Sequence, residues 1–215
     1  MRILTQVTEQ ALLQAIDAHQ TDLLAKLGQL VAFKTVSPPA RNTVPLQEEV
    51  ADQLKKDDFE VKVQPFYETD TLVSGTLHGT APTTHNSLLL NGHVDVATIA
   101  DQHWQTDPFS VQRSGDLVIG RGVSDMKGAM ACFLYLFDQL KELGVTLPGD
   151  LKFQSVVGEE AGEAGTKRLL EQGEKADFAL VGDTSDLQLQ GQGGVVTGWV
   201  KLKSPKTYHD GNRVN

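Results

Sequence analysis

The sequence predicts an α/β fold in which a mainly parallel β-sheet is flanked by helices. Three short apolar runs, residues 87–90, 151–157 and Phe178–Val181, have the aliphatic and aromatic content of buried strands. Helical patterns cover residues 126–143 and 165–172, so strands and helices alternate along this part of the chain. The alternation implies crossover connections between parallel strands, with helices covering the faces of the sheet.

The N-terminal part adds helices and two further strands. Apolar residues recur at helical spacing through about the first thirty residues, which predicts an amphipathic helix that ends before residues 35–39. A second helix is predicted over Val44–Lys56. Alternating patterns over residues 59–65 and 71–77 predict two strands.

Composition excludes several classes of partner. The 28 acidic residues outnumber the 19 basic ones, and the net charge of -9 repels phosphate backbones and anionic lipid. No apolar stretch approaches the roughly 18 residues of a membrane span, and the N-terminus lacks the apolar core of a signal peptide. We therefore expect no nucleic-acid partner, no membrane association and a cytoplasmic location.

Several kinds of site are also excluded. Cys132 is the only cysteine, so an intramolecular disulfide and a thiolate zinc cluster are ruled out, and its apolar surroundings predict a small core residue. The glycine-rich signatures of dinucleotide sites and P-loops are absent, as is the Gly-x-Ser-x-Gly elbow of serine hydrolases.

Each of the three apolar runs leads into residues that can bind a metal. His93 follows the first run, Glu159 and Glu160 follow the second, and Asp183 follows the third, while Asp125 opens the helix at residues 126–143. The carboxyl ends of parallel strands meet at one edge of a sheet, so these side chains should converge. A pair of divalent ions needs imidazole and carboxylate ligands. The predicted ligands are therefore His93, Asp125, Glu160 and Asp183.

Two further acidic residues have predicted supporting roles. Asp95 lies two residues after His93 and is placed to orient its imidazole ring. Glu159, next to the ligand Glu160, is placed to accept a proton from the attacking water. Each signal alone has a plainer explanation, such as a helix N-cap for Asp125 or a solvated pair for the two glutamates. Their coincidence at one predicted edge favours the metal site.

The motifs that carry these residues resemble one enzyme family. Residues 91–95 (NGHVD), 104–109 (WQTDPF), 120–128 (GRGVSDMKG) and 158–160 (GEE) occur in the order found in the acetylornithine deacetylase and succinyl-diaminopimelate desuccinylase family. That family is grouped with carboxypeptidase G and aminoacylase among the co-catalytic zinc peptidases. The resemblance covers nearly the whole chain and implies hydrolysis of an amide bond in an N-acyl amino acid or small peptide.

The resemblance also implies a cofactor and roles for individual residues. Two zinc ions are expected, with cobalt or manganese as substitutes. Where many members have Glu-Pro-Thr, this chain has Asp183, Thr184 and Ser185, and either carboxylate can bind zinc. The implied roles are one zinc on His93 and Asp183, the other on Glu160, Asp125 as the bridge, Asp95 as the residue that orients His93, and Glu159 as general acid and base.

The C-terminal part resembles the start of a second domain. Members of the family are nearly twice as long, with an inserted lid and dimerisation domain followed by a return to the catalytic domain that supplies a last histidine ligand. The resemblance implies a zinc-binding catalytic domain over residues 1–192 and the beginning of the lid over residues 193–215. The glycine-rich residues 191–194 independently predict a hinge into a new element, whose first strand is predicted at residues 198–203. His209 would match the lid histidine that stabilises the oxyanion, and homodimers are expected of full-length members.

Two alternatives remain open at this stage. Without the last histidine, the 215-residue form is expected to be weakly active or inactive, so the chain could be a truncated product that binds metal or a partner chain without catalysis. A two-metal phosphoesterase is a second alternative, which the family motifs disfavour. The sequence leaves the acyl group open among acetyl, succinyl, formyl and peptide substrates.

Overall fold

The computed structural model describes residues 9–37, 42–67, 69–100, 102–162 and 164–185. These residues form five helices, seven strands and one turn of 3₁₀ helix. In chain order they are α1 (Glu9–Ala18), α2 (Gln20–Ala32), α3 (Val44–Lys56), β1 (Glu60–Phe66), β2 (Asp70–Leu77), β3 (Leu88–His93), β4 (Gln112–Ser114), β5 (Leu117–Ile119), α4 (Lys127–Glu142), β6 (Leu151–Val156), the 3₁₀ turn Glu159–Ala161, α5 (Ala164–Glu171) and β7 (Phe178–Val181).

Five of the strands form one sheet in the order β1-β2-β6-β3-β7. Strand β3 pairs in parallel with β6 on one side and β7 on the other, whereas β2 pairs antiparallel with both β1 and β6. Four strands therefore run in one direction and β2 alone opposes them. The predicted α/β class with a mainly parallel sheet is confirmed, and the short hairpin β4–β5, which the sequence analysis did not predict, forms a separate sheet.

Helices cover both faces of this sheet. On one face, Phe153 of β6 packs against Phe137 of α4, with ring centroids 5.3 Å apart. Successive strand residues point to opposite faces, so Gln154 lies on the other face. There it accepts a hydrogen bond from Asn91 of β3, which also donates to Thr166 of α5. The apolar core thus lies between the sheet and α4, and α5 packs on the opposite face.

Several sequence expectations differ from the structure. The predicted N-terminal helix is two helices, because the chain turns at His19. Cys132 is exposed on α4 instead of buried in the core. All four residues of Phe178–Val181 are exposed although the run was predicted to be a buried strand. The reason is positional, since β7 is an edge strand that pairs only with β3 among the described residues.

The described residues up to Thr184 form one compact unit. The predicted boundary between residues 192 and 193, the hinge at 191–194, the strand at 198–203 and His209 all lie outside the described residues, so they stay predictions. Within the described part of the chain, no helix has the length and apolar character needed to cross a membrane.

Replacing Phe153 by alanine is expected to lower the free energy of unfolding by about 3 to 5 kcal/mol, because the ring is fully buried and its loss leaves a cavity. Urea unfolding followed by circular dichroism measures this change. The matched control is Phe178→Ala, whose ring is 60% exposed and whose loss should change stability by about 0.5 kcal/mol or less. Equal losses in the two variants would contradict the described core.

Candidate metal centre

Three parallel strands carry the candidate site residues to one edge of the sheet. Strand β3 ends at His93, and its neighbours β6 and β7 end at Val156 and Val181. The chain after β6 turns at Gly158, whose φ of 86° is a backbone conformation that favours glycine, and Glu159 follows directly. Because β3 lies between the other two strands, its last residue lies at the centre of the crevice.

The imidazole of His93 is the point on which the acidic side chains converge. Its Nε2 atom lies 3.1 Å from Asp125 Oδ1 and 3.8 Å from both Glu159 Oε2 and Asp183 Oδ2. Ligand atoms of His93, Glu159 and Asp183 all lie within 4.8 Å of one another. One imidazole nitrogen and carboxylate oxygens are donors that Zn²⁺ binds in proteins, so the residues present fit a divalent metal ion.

The second ring nitrogen of His93 is held by Asp95. His93 Nδ1 lies 2.9 Å from the main-chain carbonyl oxygen of Asp95 and 3.5 Å from its carboxylate Oδ1. Donation from Nδ1 to this carbonyl leaves Nε2 free to bind a metal. The buried carboxylate of Asp95 also accepts a hydrogen bond from the main-chain N–H of Glu160 through Oδ2, at 3.2 Å. Asp95 therefore contacts both the His93 ring and the turn that carries the glutamates.

The two adjacent glutamates occupy different positions. Glu159, predicted as the proton acceptor, belongs to the group within metal-binding distance, whereas Glu160, predicted as a ligand, does not. Burial, and then repulsion from Asp125, raises the pKa of Glu160. The structure thus places Glu159 with His93 and Asp183, whereas Glu160 contacts Asp95 through the hydrogen bond from its main-chain N–H.

The electrostatics of the crevice favour a positive charge. Burial of the His93 ring favours its neutral form, but hydrogen bonds to Asp125 and Asp95, with attraction from Asp95 and Glu159, raise its pKa to about 10. Burial, offset in part by attraction to His93 and reinforced by repulsion from Asp183, raises the pKa of Glu159. Carboxylates this close to one another are stabilised by any cation placed between them.

One buried residue at this site was missed by the sequence analysis. Lys127, the first residue of α4, is 1% exposed, and its ammonium group donates to the main-chain oxygens of Leu30 and Phe33 at 2.9 and 2.8 Å. Burial lowers the pKa of Lys127 to about 7, although Asp95 acts in the opposite direction. Lys127 lies two positions after Asp125 in the sequence. Because lysines are rarely buried, nothing in the sequence alone predicted that its ammonium group would contact the end of α2.

Among the described residues, His93 is the only histidine in the group that could hold a metal ion. His19, His78, His85 and His103 are exposed, as expected of surface residues. His209, the predicted oxyanion residue, lies outside the described residues.

Comparison with known proteins places the chain in a family. The model of the peptidase family M20/M25/M40 matches residues 89–208, which include every predicted metal ligand. The chain belongs to this family. The predicted resemblance to the desuccinylase family is confirmed at this level, since a succinyl-diaminopimelate desuccinylase of Rickettsia canadensis is 33% identical over 165 residues, 73% of this chain and 42% of the relative.

Other relatives have higher identity. An N-formyl-4-amino-5-aminomethyl-2-methylpyrimidine deformylase of Bacillus subtilis is 46% identical over 206 residues, which are 95% of this chain and 48% of the relative. The chain therefore spans about half the length of the curated relatives it matches.

Solved structures agree with the M20 fold. Human carnosine dipeptidase 1 superposes with a TM-score of 0.72 at 23% identity, over 80% of this chain and 40% of that one. A metallo-carboxypeptidase of the M20 family from Sulfolobus solfataricus superposes with a TM-score of 0.66 at 20% identity, over 75% and 37%.

The raised pKa of His93 makes the stability of the metal-free chain depend on pH. The pKa is about 10 in the folded chain, and the ordinary value of 6.5 applies to the unfolded chain. Because the folded-state pKa lies above the unfolded-state value, protonated His93 stabilises the folded chain. This stabilisation is fully present below pH 6.5 and is lost as the pH rises through about 10.

The measurement compares the wild type with His93→Gln by urea unfolding in the presence of a chelator. Lys127, whose pKa is lowered to about 7, changes stability in the opposite direction over part of the same interval, so the difference between the two proteins is the informative quantity. That difference should shrink as the pH rises from 6.5 to about 10. A difference that stays constant with pH would contradict the described contacts of the ring.

Proposed function

We propose that this chain is the metal-binding part of an amidohydrolase that cleaves the amide bond of a small N-acyl compound. The observation that carries the proposal is the convergence of three carboxylates on Nε2 of His93, at the carboxyl edge of three parallel strands. Membership of the M20/M25/M40 peptidase family supports amide hydrolysis over the phosphoesterase alternative.

The proposed cofactor is a pair of divalent ions, with zinc as the first candidate. His93 and Asp183 would hold one ion, Glu160 the other, and Asp125 both; the 3.1 Å and 3.8 Å distances of Asp125 and Asp183 from His93 Nε2 support the first part of this division. A structural neighbour from Bacillus subtilis, with a TM-score of 0.53, is described as a dinuclear metal-binding peptidase of the M20 family. When bound, such ions supply Lewis acidity, which polarises the scissile carbonyl and eases the loss of a proton from water.

Glu159 is the proposed general base and acid. Its carboxylate lies in the crevice, 3.8 Å from His93 Nε2, and is not fully buried, so water can reach it. Burial raises the pKa of Glu159 above its ordinary value of 4.5, and this brings it nearer to the range in which a carboxylate accepts and returns a proton at neutral pH. Glu159 would take the proton of the attacking water and deliver it to the leaving amine.

The proposed substrate is a formyl amide on an aminomethylpyrimidine. This assignment rests on the deformylase of Bacillus subtilis, whose identity of 46% extends over 95% of this chain. A deformylase of Halalkalibacterium halodurans is 47% identical over 205 residues. The desuccinylases are less similar and match a smaller share of the chain, so a succinyl amide is the second candidate.

Family membership supports the remaining proposals. They are the domain division at residue 192, His209 as an oxyanion donor, a homodimer of the whole protein and a cytoplasmic location. The alternative is a chain that binds metal or a partner chain without catalysis.

The metal-depleted chain is expected to bind zinc, with the number of ions per chain measured by calorimetry and mass spectrometry. Asp183→Ala removes one carboxylate ligand and should lower the affinity of one site by at least about tenfold. The matched control is Asp177→Ala, since Asp177 is a fully exposed carboxylate that pairs with Ser87 and not with His93. The proposal fails if the wild-type chain binds no divalent ion.

The proposed roles of the two glutamates are distinguished by comparing the variants Glu159→Gln and Glu160→Gln. Glu159→Gln should retain bound metal and lower the formate release that the wild-type chain shows with the formyl pyrimidine by about 10²- to 10⁴-fold, because a glutamine cannot accept the proton. Glu160→Gln should lose metal. The opposite pattern would exchange the two roles, and a wild-type chain that binds two ions without releasing formate would favour the non-catalytic alternative.

A further inference from the structure

A short segment without metal ligands contacts both parts of the proposed metal centre. Residues 30–37, here called the bracing segment, comprise the last turn of α2 and the extended chain after it. Its sequence, LVAFKTVS, contains no histidine, cysteine or acidic residue. It therefore cannot supply any of the imidazole or carboxylate ligands that the site requires.

The bracing segment holds the residues on either side of Asp95. Val36 forms a parallel bridge with Val96. The main-chain N–H of Val96 donates to the carbonyl of Thr35, and that of Ser37 donates to the carbonyl of Val96, both at 3.0 Å. The buried hydroxyl of Thr35 donates to the carbonyl of Val94 at 2.6 Å. The main-chain groups of Val94 and Val96, on either side of Asp95, are thus hydrogen-bonded to the bracing segment.

The same segment holds the turn that carries Asp125. The ammonium group of Lys127 donates to the carbonyls of Leu30 and Phe33, at the C-terminus of α2, where the helix dipole favours a cation. The main-chain N–H of Lys127 donates to the carbonyl of Gly122 at 2.8 Å, which closes the turn around Asp125. A buried ammonium group is costly unless it is hydrogen-bonded, so this contact determines where the turn lies.

The backbone at residues 94–96 and the turn at residues 122–127 also lie in close contact with each other. Gly122 has a φ of 83°, and a Cβ atom there would lie 2.7 Å from Val96 Cγ1 and 3.4 Å from Lys127 Cδ. A side chain at this position would push apart the backbone after β3 and the turn before α4. The bracing segment, the backbone at residues 94–96 and the turn at residues 122–127 are therefore packed as one assembly.

We propose that Thr35 and Lys127 are positioning residues, which set the separation of His93 and Asp125 through the bracing segment. The two side chains lie 3.1 Å apart although 32 positions separate them in the sequence. Asp125 lies on neither β3 nor β6, so the hydrogen bonds that pair these two strands do not set its position. This inference rests on the proposed metal site and adds the residues that hold its ligands in place.

The test uses the 215-residue chain and Thr35→Val, which keeps the shape of the side chain and removes the hydroxyl. Thr35→Val is expected to lower zinc affinity by about 10- to 100-fold, the size of effect seen when a partner of a metal ligand is removed. It should also change the visible absorption of the Co²⁺-substituted chain, which reports ligand geometry. Thr35→Ser retains the donor and should restore both properties. Lys127→Met is expected to act in the same direction as Thr35→Val.

A matched control separates positioning from general loss of stability. Thr43 is also buried, and its hydroxyl donates to Asp70 at the start of β2, which β6 separates from β3 in the sheet. Thr43→Val should lower the free energy of unfolding in chelator but leave zinc affinity and the Co²⁺ spectrum unchanged. If folded Thr35→Val and Lys127→Met bind zinc and Co²⁺ as the wild type does, the positioning role is wrong. If the wild type itself binds no metal, the proposed function fails first.

Discussion

The parallel pairing of β3 with β6 and β7 is the constraint on which the candidate site depends. In this register His93 lies opposite Val156, and Asn91 lies opposite Val181. The segments that follow the three strands therefore leave the sheet at one edge and within a few ångströms of each other. A slip of one residue in β3 would turn the imidazole to the other face of the sheet and separate it from the carboxylates. The convergence of these side chains is therefore a property of strand register.

The charges of the crevice act on the stability of the fold in two directions, because carboxylates stabilise the protonated ring of His93 whereas the ionised forms of Glu159 and Glu160 are disfavoured. Three carboxylates approach one buried imidazole, and the pKa values of Glu159 and Glu160 are raised, so their ionised forms are disfavoured where they stand. The apolar core between the sheet and α4, with Phe153 and Phe137 in contact, is where burial stabilises the chain. A cation in the crevice would relieve the repulsion, which couples metal binding to folding.

The site also depends on a part of the chain that supplies no metal ligand. The bracing segment holds the backbone around Asp95 through Thr35 and Val36, and it holds the Asp125 turn through Lys127. The distance between His93 and Asp125 is therefore decided by packing between α2, the sheet edge and the start of α4. This explains why a helix that is remote from the ligands in sequence belongs to the structure of the site.

The sequence by itself determined the α/β class, most strand and helix positions and the family, because apolar periodicity and the motifs around His93, Asp125 and Glu160 are local in the chain. Tertiary structure alone decided which side chains meet, and it placed Glu159 rather than Glu160 beside His93 and Asp183. It also exposed Phe178–Val181, which the apolar run had predicted to be buried, because burial of a strand depends on its neighbours. Burial of Lys127 was likewise undetectable, since the carbonyls that bind it lie more than ninety positions away in the sequence. Local patterns record what each segment prefers, whereas distances and burial follow from packing between segments that the sequence separates.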